Sequence, residues 1–330
     1  MKKYIIIFCL LSFLPILTFA QSTTKGDFDT KEQKEQFTKY IVKPKMPKNL
    51  AFSFKKSTVT NVIQYLSDST RRTYTRYLDT YFTYYAPGEE TNGVTELNVS
   101  VDSLIWIFKR DGDSIYYDSQ DDELIPPLNI EDYEESSVVL GRNFNYYYSP
   151  YWDFGRIDGN KLLMDRNYIN DPLDGISDSK RNYFWNYRLS DENLSELVDV
   201  LKNLIPPDAI DTSMKRKVIF NYSTEEMAFT DTSSIVQLVY DNARVYTLKA
   251  TISDLKPKRE RTRIYGFGVF VDIIDCKGSG TYELDITPQG RTEGARGEFN
   301  FELLLRDRNE IIRETINEKV IYQLLKNYKI

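Results

Sequence analysis

ELNVSVDSLIWIFKRDGDSIYY, residues 96–117, sets the architecture. Leu97, Val99 and Val101 alternate with Glu96, Asn98 and Ser100, the period of a strand with one face buried and the other wet. Leu104–Phe108 and Ile115–Tyr117 then flank Arg110-Asp111-Gly112-Asp113. Asp-Gly is a favoured tight-turn pair because both residues tolerate positive φ, so the stretch reads as a hairpin. Asp111 and Asp113 are also oxygen ligands at a turn, but the further oxygens and terminal Glu of a calcium loop are missing.

The same period extends in both directions. It starts at Leu50 and returns in Tyr246, Leu248, Ala250 and Ile252, in Tyr282, Leu284 and Ile286, and in Phe299, Phe301, Leu303 and Leu305. Arg306–Asn309 turns the chain into a last element between Ile312 and Leu325. Tyr74, Tyr77, Leu78, Tyr81, Phe82 and Tyr85 have helical spacing, yet their Thr/Tyr-rich setting favours a strand. One helix is expected from Ser190 or Asp191, its cap, to Ile205. Leu194, Leu197, Val198, Leu201, Leu204 and Ile205 share one face, and Pro206-Pro207 stops it. The expected fold is mainly β (α+β): two curved antiparallel sheets joined by one amphipathic helix, with duplication of the halves as one reading. The first β-rich domain spans 49–188, the connecting helix 189–210 and the second β-rich domain 211–330.

Residues 1–20 read as a signal peptide. Lys2 and Lys3 precede an apolar run from Ile5 to Leu17, and Thr18 and Ala20 are the small residues that signal peptidase needs before Gln21. The run is shorter than the roughly 20 residues that span a bilayer, and no later segment approaches that length, so no transmembrane segment is expected in the mature chain. Residues 21–48 are polar and charged, with Pro44 and Pro47, and read as a flexible lead-in. Export to the periplasm or beyond follows.

Composition excludes several chemistries. The chain has no histidine, which removes Ser-His-Asp and Cys-His catalysis and imidazole metal sites. No metal or cofactor is expected; Tyr265-Gly-Phe-Gly lacks the third glycine and the helix of a dinucleotide loop. Loss of Lys2 and Lys3 takes the net charge from −6 to −8, which gives no electrostatic reason to bind nucleic acid. Cys276 is the single cysteine after residue 20 and has no imidazole to activate it, so it reads as a packing residue.

Two segments are similar to each other. Phe144-Asn-Tyr-Tyr-Tyr148 runs into Ser149-Pro150 and then Gly155-Arg-Ile-Asp-Gly159. Tyr282-Glu-Leu-Asp-Ile286 runs into Thr287-Pro288 and then Gly290-Arg-Thr-Glu-Gly294. Proline ends a strand ladder and glycine permits the turn, so each reads as strand, turn, strand. This pattern resembles uncharacterised exported proteins of Bacteroidota, over Phe52 to Ile169 and again over Phe220 to Tyr328. The resemblance implies a long curved antiparallel sheet and no transferable activity.

Two functions from different classes suit such a chain. The first is a non-enzymatic binding or structural protein of the envelope, taking an apolar ligand, a glycan or a protein partner. Inward aromatics such as Phe144, Tyr146, Tyr148 and Tyr282 would line its site. The alternative is a carboxylate-dependent polysaccharide hydrolase, with Tyr151-Trp152-Asp153 and Asn182–Asn186 as its aromatic borders. Export itself is testable: N-terminal sequencing of the mature protein should begin at Gln21. Recovery of intact Met1 in the native host's membrane fraction would contradict it.

Overall fold

The chain's first and last strands pair in the middle of one large sheet. The structure is a computed structural model and describes residues 46–127, 130–149, 154–159, 187–206, 215–241, 244–263 and 270–329. The first half supplies β1 (Leu50–Tyr65), β2 (Arg71–Tyr85), β3 (Thr95–Arg110), β4 (Asp113–Asp118), β5 (Asn143–Ser149) and β6 (Phe154–Asp158). A short helix, α1 (Glu131–Ser137), precedes β5, and α2 (Asp191–Val198) follows β6. The second half supplies β7 (Lys215–Ser223), β8 (Ala228–Asp241), β9 (Tyr246–Pro257), β10 (Arg261–Arg263), β11 (Phe270–Ile286), β12 (Thr292–Asp307) and β13 (Glu310–Lys329).

Along the sheet the order is β6-β5-β3-β2-β1-β13-β12-β11-β9-β8-β7, with β4 beside β3 and β10 beside β11. Each neighbouring pair is antiparallel, as expected of strands joined by short turns. Two separate sheets were expected, and this is corrected: β1 pairs with β13 from Leu50↔Lys329 to Tyr65↔Arg313, so the halves form one sheet and one compact unit. Local periodicity specifies each strand but is silent on which distant strand completes it. The helix α2 touches both edge strands, β6 and β7, so the sheet curls until one helix bridges its margins.

Inward side chains follow the alternation. Leu97, Val99 and Val101 on β3, and Phe299, Phe301, Leu303 and Leu305 on β12, are buried. Tyr74, Leu78 and Phe82 lie on β2, so the ambiguous segment is a strand. Asp111 and Gly112 take φ of 50° and 96° between β3 and β4, as the tight turn requires. Aromatic rings fill the core: Tyr222 stacks on Phe299 at 3.8 Å between centroids and Phe229 on Phe301 at 4.2 Å.

The expected helix 190–205 is shorter in the structure. Ser190 Oγ accepts the Asn193 amide as N-cap, but α2 ends at Val198. Asp199 Oδ1 then accepts the Lys202 amide at 3.1 Å, and Lys202 and Asn203 have φ of 50° and 55°, which turns the chain out of the helix. Leu201, Leu204 and Ile205 are buried all the same. The helical spacing had marked a buried stretch, only half of which is helix.

Both similar segments are hairpins, β5–β6 and β11–β12, but their glycines are not equivalent. Pro150 and residues 151–153 lie outside the described residues. Gly155 sits within β6 opposite Tyr148, whereas Gly290 is in the turn with φ of 87°. Gly159 follows β6 with φ of 102°, whereas Gly294 is inside β12 opposite Asp285. After Pro288, Thr287 closes the second turn: its Oγ1 accepts the Arg291 amide and its carbonyl the Gly290 amide. What the segments share is a same-face ion pair, Arg156 to Asp158 at 2.8 Å and Arg291 Nε to Glu293 at 2.7 Å.

Close packing explains other glycines. A Cβ on Gly280 would lie 2.6 Å from Phe299 Cδ1 and 2.5 Å from the Glu298 carbonyl oxygen, while one on Gly88 would meet nothing within 4 Å. Gly280→Ala should therefore destabilise the protein by about 2 kcal/mol in urea melts, through overpacking, and Gly88→Ala should leave stability within about 0.5 kcal/mol. Equal effects of the two substitutions would contradict this packing.

Candidate functional site

Three of the aromatic residues named from the sequence, Phe144, Tyr146 and Tyr282, are buried. Tyr282 is fully buried and donates its hydroxyl to the Val200 carbonyl at 2.7 Å, while packing on Phe220. Tyr146 is buried beside a cavity of about 10 Å³, shared with Leu97, Met46 and Val198. Phe144 is buried on β5, and the side chain of Tyr148 lies outside the described residues, as do Ala20, Gln21, Tyr151–Asp153 and Asn182–Asn186. Cys276 is buried too, and burial pushes its thiol up to about 11, well away from a reactive thiolate.

Charged residues also share this interior. On β13, Glu314 and Glu318 face inward in phase with Ile312, Ile316, Val320 and Tyr322. Glu318 accepts from Thr60 Oγ1 at 2.7 Å and from the Tyr222 hydroxyl. Arg76 of β2 donates to Asp132 at 2.7 Å and to Glu226 at 3.1 Å, and the Trp106 indole donates to the other Asp132 oxygen at 2.8 Å. Glu196 of α2 accepts from Lys202 and from the Ser223 amide, and its carbonyl accepts from Tyr322. Thus the β7–β8 turn and both helices are tied to the central strands. Buried charges are tolerated because they are paired and hydrogen-bonded. Among the described residues, voids beside these groups measure about 20 and 10 Å³, room for a water molecule and not for an acyl chain.

The large concavity lies on the outward face. Two bulges fall at one level across four neighbouring strands: Leu325 is the extra residue of β13 opposite Ser53 and Phe54, and Asp102 that of β3 opposite Tyr81 and Phe82. Bulges kink and twist a sheet, and a groove of about 1090 Å³ follows this line from Tyr328 and Lys326 to Asn145 and Asp158. Its floor carries a hydrogen-bonded chain. Thr83 Oγ1 donates to Asp102 Oδ2 at 2.7 Å, and Ser100 donates to Oδ1 at 2.9 Å. Ser53 and Thr83 hydroxyls lie 2.9 Å apart; since Thr83 has spent its proton on Asp102, Ser53 is the donor. Tyr81 and Tyr85 flank this chain, and Asn98, Asn143 and Gln120 add amides.

Sequence reasoning missed Asp102, though a signal was present. Inward residues are odd-numbered through Leu97, Val99 and Val101 and even-numbered through Leu104, Trp106 and Phe108, and the phase slip marks the bulge. Glu314 and Glu318 were likewise visible as acids in phase with apolar residues.

No family model and no curated protein matches this chain. Among solved structures it is similar to a chain from work on lipid–protein interactions in lipovitellin, with 9% identity and a TM-score of 0.41. That match covers 86% of this chain and 26% of the other, so the present chain spans about a quarter of its length. An outer membrane channel from Pseudomonas putida F1 matches with 5% identity and a TM-score of 0.26, over 86% of this chain and 97% of that one. OpdQ from Pseudomonas aeruginosa matches with 8% identity and a TM-score of 0.24, over 84% and 99%. These likenesses are too distant to bear on function.

The outward face has its own chemistry. It carries ion pairs: Lys55 with Asp79 at 2.6 Å, Lys249 with Glu283 at 3.0 Å and Lys319 with Glu298 at 3.3 Å. Such charges suit water, and on a lipid-facing strand each of these lysines would cost about 2–4 kcal/mol at the bilayer centre.

Among the interior groups, Glu314 is the clearest pH-sensitive one. Burial raises its carboxyl from 4.5 to about 7, opposed by the amide of Gln64, which donates at 2.6 Å. Folding therefore favours the protonated form. Its contribution is full below about 4.5 and disappears as pH rises through about 7, a loss of up to about 3 kcal/mol. Urea melts should show stability falling from pH 5 to pH 8, and Glu314→Gln should flatten that slope. Identical slopes in the two proteins would contradict the buried, neutral carboxyl.

Proposed function

We propose that this chain is an exported, non-enzymatic binding protein of the cell envelope that holds a carbohydrate in its outward groove. One observation carries the reading: among the described residues interior voids measure only about 20 and 10 Å³, while the groove of about 1090 Å³ is open and lined by hydroxyl, amide and carboxyl groups beside tyrosines. Sugars present vicinal hydroxyls and a weakly apolar ring face, which match planar amides and carboxylates on one side and aromatic rings on the other. The volume lies just above the range of small-ligand sites, about 300–1,000 Å³, which suits an oligosaccharide better than a single sugar.

Hydrolysis by a carboxylate pair is less well supported. It needs one acid kept protonated by apolar surroundings. Within the groove Asp102 is exposed, and Asp158 accepts from Arg156 at 2.8 and 3.2 Å. The carboxyl pushed up to about 7, Glu314, is on the opposite, sealed face.

Calorimetric titration of the mature protein with a panel of hexasaccharides, and separately with palmitate, tests the proposal. Saturable binding of at least one hexasaccharide, with no binding of palmitate and no release of reducing ends, is expected. Palmitate binding without any hexasaccharide binding would overturn it, and steady release of reducing ends would move the chain to the hydrolases.

A further inference from the structure

Asp102 determines which hydrogen-bonding groups the groove offers. Among the described residues it has no cationic partner, and it is exposed in the groove. Its two oxygens take the protons of Thr83 and Ser100, and Thr83 in turn takes the proton of Ser53. A hydroxyl has one proton and two lone pairs, so all three hydroxyls are left as acceptors, alongside the remaining lone pairs of the carboxylate. The centre of the groove is thus a patch of acceptors around an unneutralised negative charge. A group placed there must donate.

Resting on the carbohydrate reading, we infer that the groove selects glycans without acidic groups, with Asp102 as the anchoring carboxylate for two sugar hydroxyls. A carboxylate or sulfate on the ligand would bring acceptors against acceptors and charge against like charge, which is how a site rejects a wrong ligand. Of the other charged groups of the groove, Asp158 is already held by Arg156. Lys326, next to Ser53 across the β1–β13 pairing, keeps its positive charge with its Nζ 5.4 Å from the Tyr328 ring centroid, so the selection against acids rests on Asp102 and the hydroxyls bonded to it. The amides of Asn98, Asn143 and Gln120 both donate and accept, so they orient a ligand without selecting its charge.

The experiment compares neutral gluco-, manno-, xylo- and galacto-hexasaccharides with hexagalacturonate, by calorimetry on the mature wild-type protein and on Asp102→Asn. The wild type should bind its best neutral hexasaccharide at least tenfold more tightly than hexagalacturonate. Asp102→Asn, which places a donor where an acceptor stood, should weaken neutral binding about tenfold and narrow the gap to the uronate. Should that variant fail to fold, Ser100→Ala removes one acceptor and should weaken neutral binding severalfold. Tighter or equal binding of hexagalacturonate by the wild type overturns the inference while leaving the carbohydrate reading intact. Unchanged affinities in folded Asp102→Asn overturn it as well. Absence of binding to any hexasaccharide removes both.

Discussion

The pairing of β1 with β13 is the constraint on which the rest of the structure depends. It joins the two ends of the fold in the centre of the sheet, so neither half has a complete core of its own. The inward faces of these two strands become the deepest part of the molecule, and the polar residues they carry, Thr60, Gln64, Glu314 and Glu318, must find partners there. They find one another and, through Tyr222, the far edge of the sheet. Arg76, next to β1 on β2, reaches Asp132 of α1 and Glu226 of the β7–β8 turn. Buried ion pairs of this kind contribute little net stability, because desolvation offsets their attraction. Their role is to specify one closure: a hairpin docked a residue out of register would leave Arg76 or Glu318 charged and unpaired, at a cost of several kcal/mol.

Curling has a second consequence. With the inward face occupied by rings and paired charges, the chain has no room there for a ligand larger than water among the described residues. The bulges at Leu325 and Asp102 interrupt the pleat at one level across β13, β1, β2 and β3. The groove is thereby placed on the outward face, across the central pair of strands. A bulge also reorients the residue it adds. Asp102, unpaired in the ladder, is free to collect the protons of its neighbours.

Strands, turns and burial were legible because they are local. The alternation at Leu97–Val101, the Asp111-Gly112 turn and the apolar rows of β9, β11 and β12 each follow from residues a few positions apart. The partner of β1 was not legible, because β13 lies some 250 residues away and its alternation would suit many neighbours. Helical spacing misled at Leu201–Ile205, where buried residues recur with a period of about four along a turn with positive φ. Of the groove, the sequence marked Phe144, which lines it, and the rest went unread for a related reason. Aromatic residues such as Tyr146 and Tyr282 attract attention as ligand contacts, yet in a large sheet they are the core. Asp102 looked like one more surface acid, and only its place in a break of phase distinguishes it.

Native-state hydrogen exchange tests the central pairing most directly. If β1 and β13 form the keystone of one cooperative sheet, their amides should be the last to exchange, and both strands should lose protection at the same denaturant concentration as the molecule unfolds globally. Exchange of β13 together with β7–β12, while β1–β3 stay protected, would mean that the halves fold separately and would contradict the account.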